Sequence, residues 1–304
     1  MQKITPFLWF DKNAEEAMNF YTSIFNNSKI VSLTRYPDPL PPGQEEGPMK
    51  GMEGKVLTGV FELEGFKFMG LDGGPIFKFN PSVSFSVRLG SVEEVDKLFN
   101  QLVDGGSVLM PLQKYPFAER YGWLQDKYGL SWQISTGPQN KQVITPSFMF
   151  VGKQFGKCEE AINFYASVFK DSKIDMMMRY EKGEGQDADV GKIKFSAFNL
   201  AGQQFFAMEN SAEHKFEPSP AISMYVECED QEEVDAYWEK LSSSPADEQC
   251  GWLKDKYGFS WQIIPKALPK LMNDPDKKKA DAVMNAMMKM KKIVVADLEK
   301  AAGQ

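Results

Sequence analysis

Tyr121-Gly-Trp-Leu-Gln-Asp-Lys-Tyr-Gly-Leu-Ser-Trp-Gln-Ile134 recurs later in the chain as Cys250-Gly-Trp-Leu-Lys-Asp-Lys-Tyr-Gly-Phe-Ser-Trp-Gln-Ile263, with eleven of fourteen positions identical. Each copy enters an Asp-Lys-Tyr-Gly turn from one extended stretch and leaves it through Ser-Trp-Gln-Ile, the pattern of a hairpin. Two tryptophans in register over such a span predict a duplication rather than a chance match.

Other stretches repeat in the same order. Ala14-Glu-Glu-Ala-Met-Asn-Phe-Tyr-Thr-Ser-Ile-Phe-Asn-Asn-Ser-Lys-Ile30 returns as residues Cys158 to Ile174 with eleven of seventeen positions identical, and Glu93-Glu-Val-Asp96 returns as Glu232-Glu-Val-Asp235. The spacing between copies shrinks from 144 to 129 residues along the chain, so they differ by loop insertions and deletions. This period far exceeds the roughly 20–50 residues of solenoid repeats, and each copy reads as a domain. The sequence places the first domain at residues 1–138, the second at 143–265 and a helical extension at 266–304, with the polar, turn-rich segment Thr136–Gln142 between the copies.

Within the first copy, Ile4–Phe10 reads as a strand, and Asp11 is the expected cap of a helix over Asn13–Phe25. A strand over Ile30–Tyr36 follows. Pro37–Lys55 holds five prolines and four glycines and reads as a loop, a candidate lid. Val56–Leu63 and Phe66–Leu71 form a hairpin around Glu64-Gly65, completing a βαβββ unit. A strand over Ser82–Leu89, a helix over Val92–Val103, a strand over Val108–Leu112 and the closing hairpin give a second unit. The second copy keeps this order, but its link from helix to closing hairpin is ten residues shorter, leaving at best a stub of that strand near Gln249. In the tail, Asp274-Pro275 marks a helix start. Ala282, Val283, Ala286, Met287 and Met290 then share one face, which predicts a docked helix.

Composition narrows the class. A chain of 304 residues exceeds most single cores, and 42% hydrophobic with 13% aromatic residues supplies packed interiors. A net charge of −7 argues against sequence-independent nucleic-acid binding. Three cysteines, Cys158, Cys228 and Cys250, form no Cys-x-x-Cys pair and read as free thiols. The N-terminus lacks the basic start and apolar stretch of a signal peptide, and no apolar run approaches the ~20 residues of a membrane span. The expectation is a cytoplasmic protein with neither membrane nor nucleic acid as partner.

Three pieces together, Glu-Glu-Ala-x-Asn-Phe-Tyr of the first helix, Gly73-Gly-Pro-Ile-Phe-Lys-Phe79 and the Gly-Trp-Leu hairpin, resemble the PhnB-like family. This is a branch of the vicinal oxygen chelate (glyoxalase/bleomycin-resistance) superfamily whose members often carry the label 3-demethylubiquinone-9 3-methyltransferase. The tail's Val283-Met-x-Ala-Met-x-Lys-Met-Lys-Lys-Ile293 is also similar to the family's C-terminal end. The resemblance spans nearly the whole chain. It implies an α+β fold of tandem vicinal oxygen chelate domains, each built of paired βαβββ modules that curl into a cupped sheet with a cleft. The two fused copies would act as an intramolecular pseudo-dimer, and homodimerisation stays open.

Metal-using members of the superfamily resemble one another in holding a divalent ion with His and Glu on the cupped strands. Here there is one histidine, His214. The matching positions fall near Pro6 and Pro146, near Gly59, and at Gln133 and Gln262, and a carboxamide is a weak ligand beside carboxylate. No metal site and no cofactor are therefore expected. The methyltransferase label is not supported either: no glycine-rich turn leads from a strand into a helix, and the element order is wrong for a doubly wound sheet.

What remains is a cleft for a small molecule. Gln133 and Gln262 face the cup while the neighbouring tryptophan packs. Arg35 and Arg179, at matching strand ends, are candidates to clamp a carboxylate or phosphate. Trp123 and Trp252 are candidates to stack on a planar ligand. The leading expectation is a ligand-binding protein without the His-based metal centre. The alternative is a lyase, isomerase or dioxygenase with a degenerate site using Glu62 or Glu209, and a third reading is an interaction module centred on the tail.

Overall fold

A computed structural model describes residues 2–40, 50–138 and 141–303. Four modules follow one another. The first is β1 (Ile4–Phe10), α1 (Ala14–Ile24), β2 (Lys29–Arg35), β3 (Val56–Leu63) and β4 (Phe66–Asp72). The second is β5 (Val83–Leu89), α2 (Val92–Val103), β6 (Ser107–Tyr115), β7 (Ala118–Gln125) and β8 (Ser131–Thr136). The third is β9 (Ile144–Phe150), α3 (Cys158–Val168), β10 (Lys173–Arg179), β11 (Ile193–Leu200) and β12 (Gln203–Glu209). The fourth is β13 (Ile222–Cys228), α4 (Gln231–Leu241), β14 (Trp252–Lys254) and β15 (Ser260–Pro265), and the tail adds α5 (Ala267–Met272), α6 (Lys277–Met287) and α7 (Val295–Ala301). The expected βαβββ order therefore holds in the first three modules, and the fourth lacks the strand that corresponds to β6. In every module the first strand lies parallel beside the last: β1 with β4, β5 with β8, β9 with β12, β13 with β15.

Eight of the strands, β5 to β12, build one sheet. The chain divides into two compact units, residues 1–5 with 223–304, and residues 6–222. In the larger unit the eight strands run β10-β11-β12-β9-β5-β8-β7-β6. Its centre is the antiparallel pair of β5 and β9, with Phe85 opposite Pro146 and Ser84 opposite Ser147. This sheet therefore joins the second module of the first copy to the first module of the second copy. The family resemblance led us to expect the two modules of one copy to share a sheet; the pairing crosses the copies instead.

Helices cover one face of this sheet. Trp132, fully buried, lies 5.5 Å from the Tyr21 ring and 5.3 Å from the Phe25 ring, both contributed by α1 and its C-terminal end, and 5.5 Å from Phe85. Phe148 packs 6.0 Å from Tyr165 of α3. The first glycine of the repeated motif is explained by α2: a Cβ at Gly122 would lie 2.4 Å from Phe99 Cε2 and 3.2 Å from Leu112 Cα. Only a residue without a side chain lets helix and edge strand approach the hairpin together.

Two helix starts differ from the sequence reading. Asp11 does not cap α1; Asp72, at the end of β4, accepts from Ala14 N (2.8 Å) with one oxygen and from Val56 N (3.1 Å) with the other. A carboxylate reaching in from the sheet satisfies a helix-terminal donor and ties the helix to its strand. The last long helix, α6, begins two residues later than Asp274-Pro275 predicts, with Asp276 accepting from Lys278 N (3.0 Å).

In the smaller unit the strands run β14-β15-β13. The N-terminal residues lie along β13, where Glu227 N donates to Lys3 O (3.2 Å) and Lys3 Nζ meets Glu233 (2.6 Å). Here β14 is the counterpart of β7, and the predicted stub of the β6 strand is reduced to a single bridge between Gln249 and Trp252. The edge that β6 covers on β7 is here taken by the tail: Cys250 N donates to Met290 O (2.8 Å) and Gly251 N to Lys291 O (2.7 Å). The tail is docked, as expected from its spacing. Ile264, Leu268, Leu271, Val283, Ile293, Leu298 and Ala302 form one buried cluster, with Tyr225, Met287 and Met290 packed against it. No described helix is long and apolar enough to cross a membrane.

Candidate functional site

On the eight-stranded sheet, strand alternation sends Val83, Phe85 and Val87 toward the helices and Ser84, Ser86 and Arg88 to the opposite face. Register adds neighbours to that face: Ser84 lies opposite Ser147, Ser86 opposite Thr145, and Ser86 beside Gln133. All five of these polar residues are buried. Gln133 is the centre of the row. Its Nε2 donates to Ser84 Oγ (2.7 Å), and its Oε1 accepts from Tyr121 Oη (3.0 Å). Ser147, 1% exposed, has a hydroxyl oxygen with no hydrogen-bond partner among the described residues. A buried orphan hydroxyl of this kind costs free energy unless something completes it.

Arg88 ends the row on β5. Its guanidinium carbon lies 5.0 Å from the centre of the Phe206 ring, and Phe206 is the register partner of Ser147 on β12. The arginine thus leans across β9 toward β12 on the same face as the orphan hydroxyl. Burial pushes its pKa down, and among the described residues no carboxylate pairs with it. Arg88 was not singled out from sequence, although the Val-Ser-Phe-Ser-Val-Arg-Leu alternation of residues 83–89 carries the signal: a polar stripe within a strand whose other face is wholly apolar.

The fourth module repeats part of this device. Gln262 Nε2 donates to Ser223 Oγ (2.9 Å). At the places of Ser86, Arg88 and Ser135 stand Tyr225, Glu227 and Ile264. Tyr225 and Ile264 carry the tail's apolar cluster, so this face is filled by the chain itself.

Of the remaining sequence candidates only Trp123 lies beside Gln133, as its register partner on β7. Arg35 is exposed, and both its terminal nitrogens bond the Glu15 carboxylate (2.6 and 2.8 Å); Arg179 pairs with Glu159 (2.7 Å) in the same way. Each guanidinium also donates to a backbone carbonyl, of Gly54 and Gly191 respectively. The clamp read from sequence is thus occupied internally, joining a strand end to the first turn of a helix. Glu62 is partly exposed beside Lys29 (3.4 Å). Glu209 is 2% exposed and plays the part of Asp72 in the third module, accepting from Gly156 N (2.6 Å), Cys158 N (3.4 Å) and Ile193 N (2.9 Å). Those bonds hold α3 and β11 to β12, which leaves its oxygens committed to backbone donors. Trp123 is half-buried in register with Gln133 and donates from Nε1 to Ser131 Oγ (2.7 Å). Trp252 is half-buried in register with Gln262.

Positions matched to the metal ligands of relatives also fall elsewhere. Pro146 is the partner of Phe85, on the helix side, and a Cβ at Gly59 would strike Met18 of α1 at 2.5 Å. Among the described residues no three His, Cys, Asp or Glu side chains converge as a metal-holding group. His214, half-buried, bonds Asn210 Oδ1 (2.9 Å). Cys158 and Cys228 are buried free thiols, and burial pushes the latter's pKa up to about 12.

The repeated Asp-Lys-Tyr-Gly turn is structural. Asp126, 3% exposed, accepts from Tyr128 N (2.9 Å) and Leu130 N (3.0 Å) with one oxygen, and from Tyr21 Oη (2.7 Å) and Trp132 Nε1 (2.8 Å) with the other. Burial pushes its pKa up to about 6 against the pull of these four donors. Asp255 repeats three of the bonds, to Tyr257 N, Phe259 N and Trp261 Nε1.

The family profile described as 3-demethylubiquinone-9 3-methyltransferase matches residues 2–135 and again 142–264. The chain belongs to that family. Two matches in tandem account for the duplication, and the family's description names an activity that the element order does not share with doubly wound methyltransferase folds. Among solved structures, a Bacillus cereus protein described as a putative 3-demethylubiquinone-9 3-methyltransferase, PhnB protein, is 47% identical over 45% of this chain and 100% of its own, with a TM-score of 0.40. A Pseudomonas aeruginosa protein is 25% identical over 46% of this chain and 100% of its own, with a TM-score of 0.38. Glyoxalase I from Zea mays, 10% identical, covers 85% of this chain and 92% of its own with a TM-score of 0.52, and shares the vicinal oxygen chelate fold. No curated protein matches the sequence.

Proposed function

We propose that this family member binds a small molecule on the face of the eight-stranded sheet opposite its helices. The supporting observation is the contrast between the two equivalent faces. The fourth module's face carries the tail's cluster on Tyr225 and Ile264, whereas the face around Gln133 keeps a buried polar row with an unpartnered Ser147 hydroxyl. The working site is then built by the second and third modules, one from each copy. This reading treats residues 1–138 and 143–265 as the duplicated units and 266–304 as an extension that closes the other face. It requires neither methyl transfer nor a His-based metal centre.

The test is a thermal-shift screen of metabolites on the full chain, followed by hydrogen exchange with each hit, because a specific ligand stabilises the native state by mass action. Protection confined to residues 83–89, 131–136 and 144–150 is expected. Protection confined to residues 250–303 would overturn the assignment. Elemental analysis after dialysis decides the metal-dependent alternative, since a stoichiometric ion would favour it.

A further inference from the structure

We infer that the ligand is an organic anion, a carboxylate or phosphonate with an apolar body, held by Arg88 and Ser147. This rests on the reading of the eight-stranded sheet as the ligand face and deepens it. Arg88 is a cation drawn partly out of water whose only described side-chain partner is an aromatic ring, Phe206 at 5.0 Å. Ser147, on the strand between them, has a buried hydroxyl without a partner. A guanidinium offers parallel donors to two oxygens of one anion, and a hydroxyl on the same face, beside the ring under the guanidinium, can supply a third bond. One bound group would satisfy both residues at once.

The surroundings select the rest of the molecule. Phe206 packs 4.9 Å from Phe195, and the edge residue opposite Phe195 is Met178, 43% exposed. On the opposite flank of the sheet Tyr121 meets Phe117 at 5.1 Å, and Phe117 is 67% exposed. A polar row between apolar flanks suits a charged head on an aromatic or aliphatic body. The duplication supplies an internal comparison: Arg88 is replaced by Glu227 in the fourth module, where the tail covers the neighbouring positions.

The experiment titrates benzoate, phenylacetate and phenylphosphonate, with neutral benzamide as control, into the full-length protein and its Arg88→Gln and Ser147→Ala variants. At least one anion is expected to bind, with affinity falling about 10- to 100-fold in Arg88→Gln, the range for a charge-assisted bond. Benzamide binding should not change. Ser147→Ala carries a second signature: its unliganded form should melt about 2–4 °C higher, because a buried orphan is removed, while anion affinity falls. That gain also shows that the variant is folded. Anion affinity unchanged in Arg88→Gln, or no anion bound by the wild type, would overturn the inference. Neutral compounds that protect the same strands independently of Arg88 would overturn it while leaving the ligand face in place.

Discussion

Replacing Tyr21 by Phe removes one hydroxyl and tests whether the buried Asp126 is the electrostatic hub of the closing hairpin. The ring is retained, so its packing 5.5 Å from Trp132 and 6.4 Å from Phe61 persists. Only the 2.7 Å bond to Asp126 Oδ2 is lost, and Trp132 Nε1 remains on that oxygen. A hydrogen bond to a charged group is worth about 1.5–3 kcal/mol, and one to a neutral group about 0.5–1.5 kcal/mol. Which value applies depends on pH. The folded-state pKa of Asp126 is about 6 against an ordinary 3.8, so the native state binds more protons between those values. Stability therefore falls as pH rises through that window, and the buried charge is fully present above it. The Tyr21 hydroxyl holds the pKa down, so removing it moves the folded value further up and extends the decline. The variant should lose about 1.5–3 kcal/mol at pH 8 but only about 0.5–1.5 kcal/mol at pH 4.5. Thermal unfolding followed by tryptophan fluorescence reads this as about 2–4 °C per kcal/mol. Equal losses at the two pH values, or wild-type stability at pH 8, would refute the role given to Asp126.

Three further predictions use other parts of the molecule. Ile293→Ala truncates a fully buried member of the tail cluster and should destabilise by about 2–5 kcal/mol, with increased hydrogen exchange in residues 250–264. Gly122→Ala forces a Cβ to within 2.4 Å of Phe99 and should lower Tm by several degrees, whereas Gly122→Ala combined with Phe99→Leu should recover part of the loss. Arg35→Gln breaks an exposed ion pair with Glu15, so Tm at moderate salt and anion affinity should both stay at the wild-type value; a loss of anion binding there would return the clamp to the position read from sequence.

Local chemistry in the sequence determined most of the architecture. The Trp-x-x-Asp-Lys-Tyr-Gly-x-Ser-Trp repeat, the helix pattern at residues 14–24 and the Glu64-Gly65 turn set the modules, because hairpins and amphipathic helices are written in short-range periodicity. The alternation around Gln133 placed its carboxamide opposite Trp132. Three things required tertiary structure. The β5–β9 pairing joins residues some sixty positions apart across the copy boundary, and identical modules carry no local mark of which neighbour they choose. The charge partners followed from distance: Glu15 and Glu159 take up the conspicuous arginines, while Arg88, unremarked in a strand, is left over a phenylalanine ring. The tail's position on Tyr225 and Ile264 distinguishes two faces that the repeat makes look alike. The reason is general: periodicity shows which side of an element is apolar, but only the assembled chain fixes what meets that side.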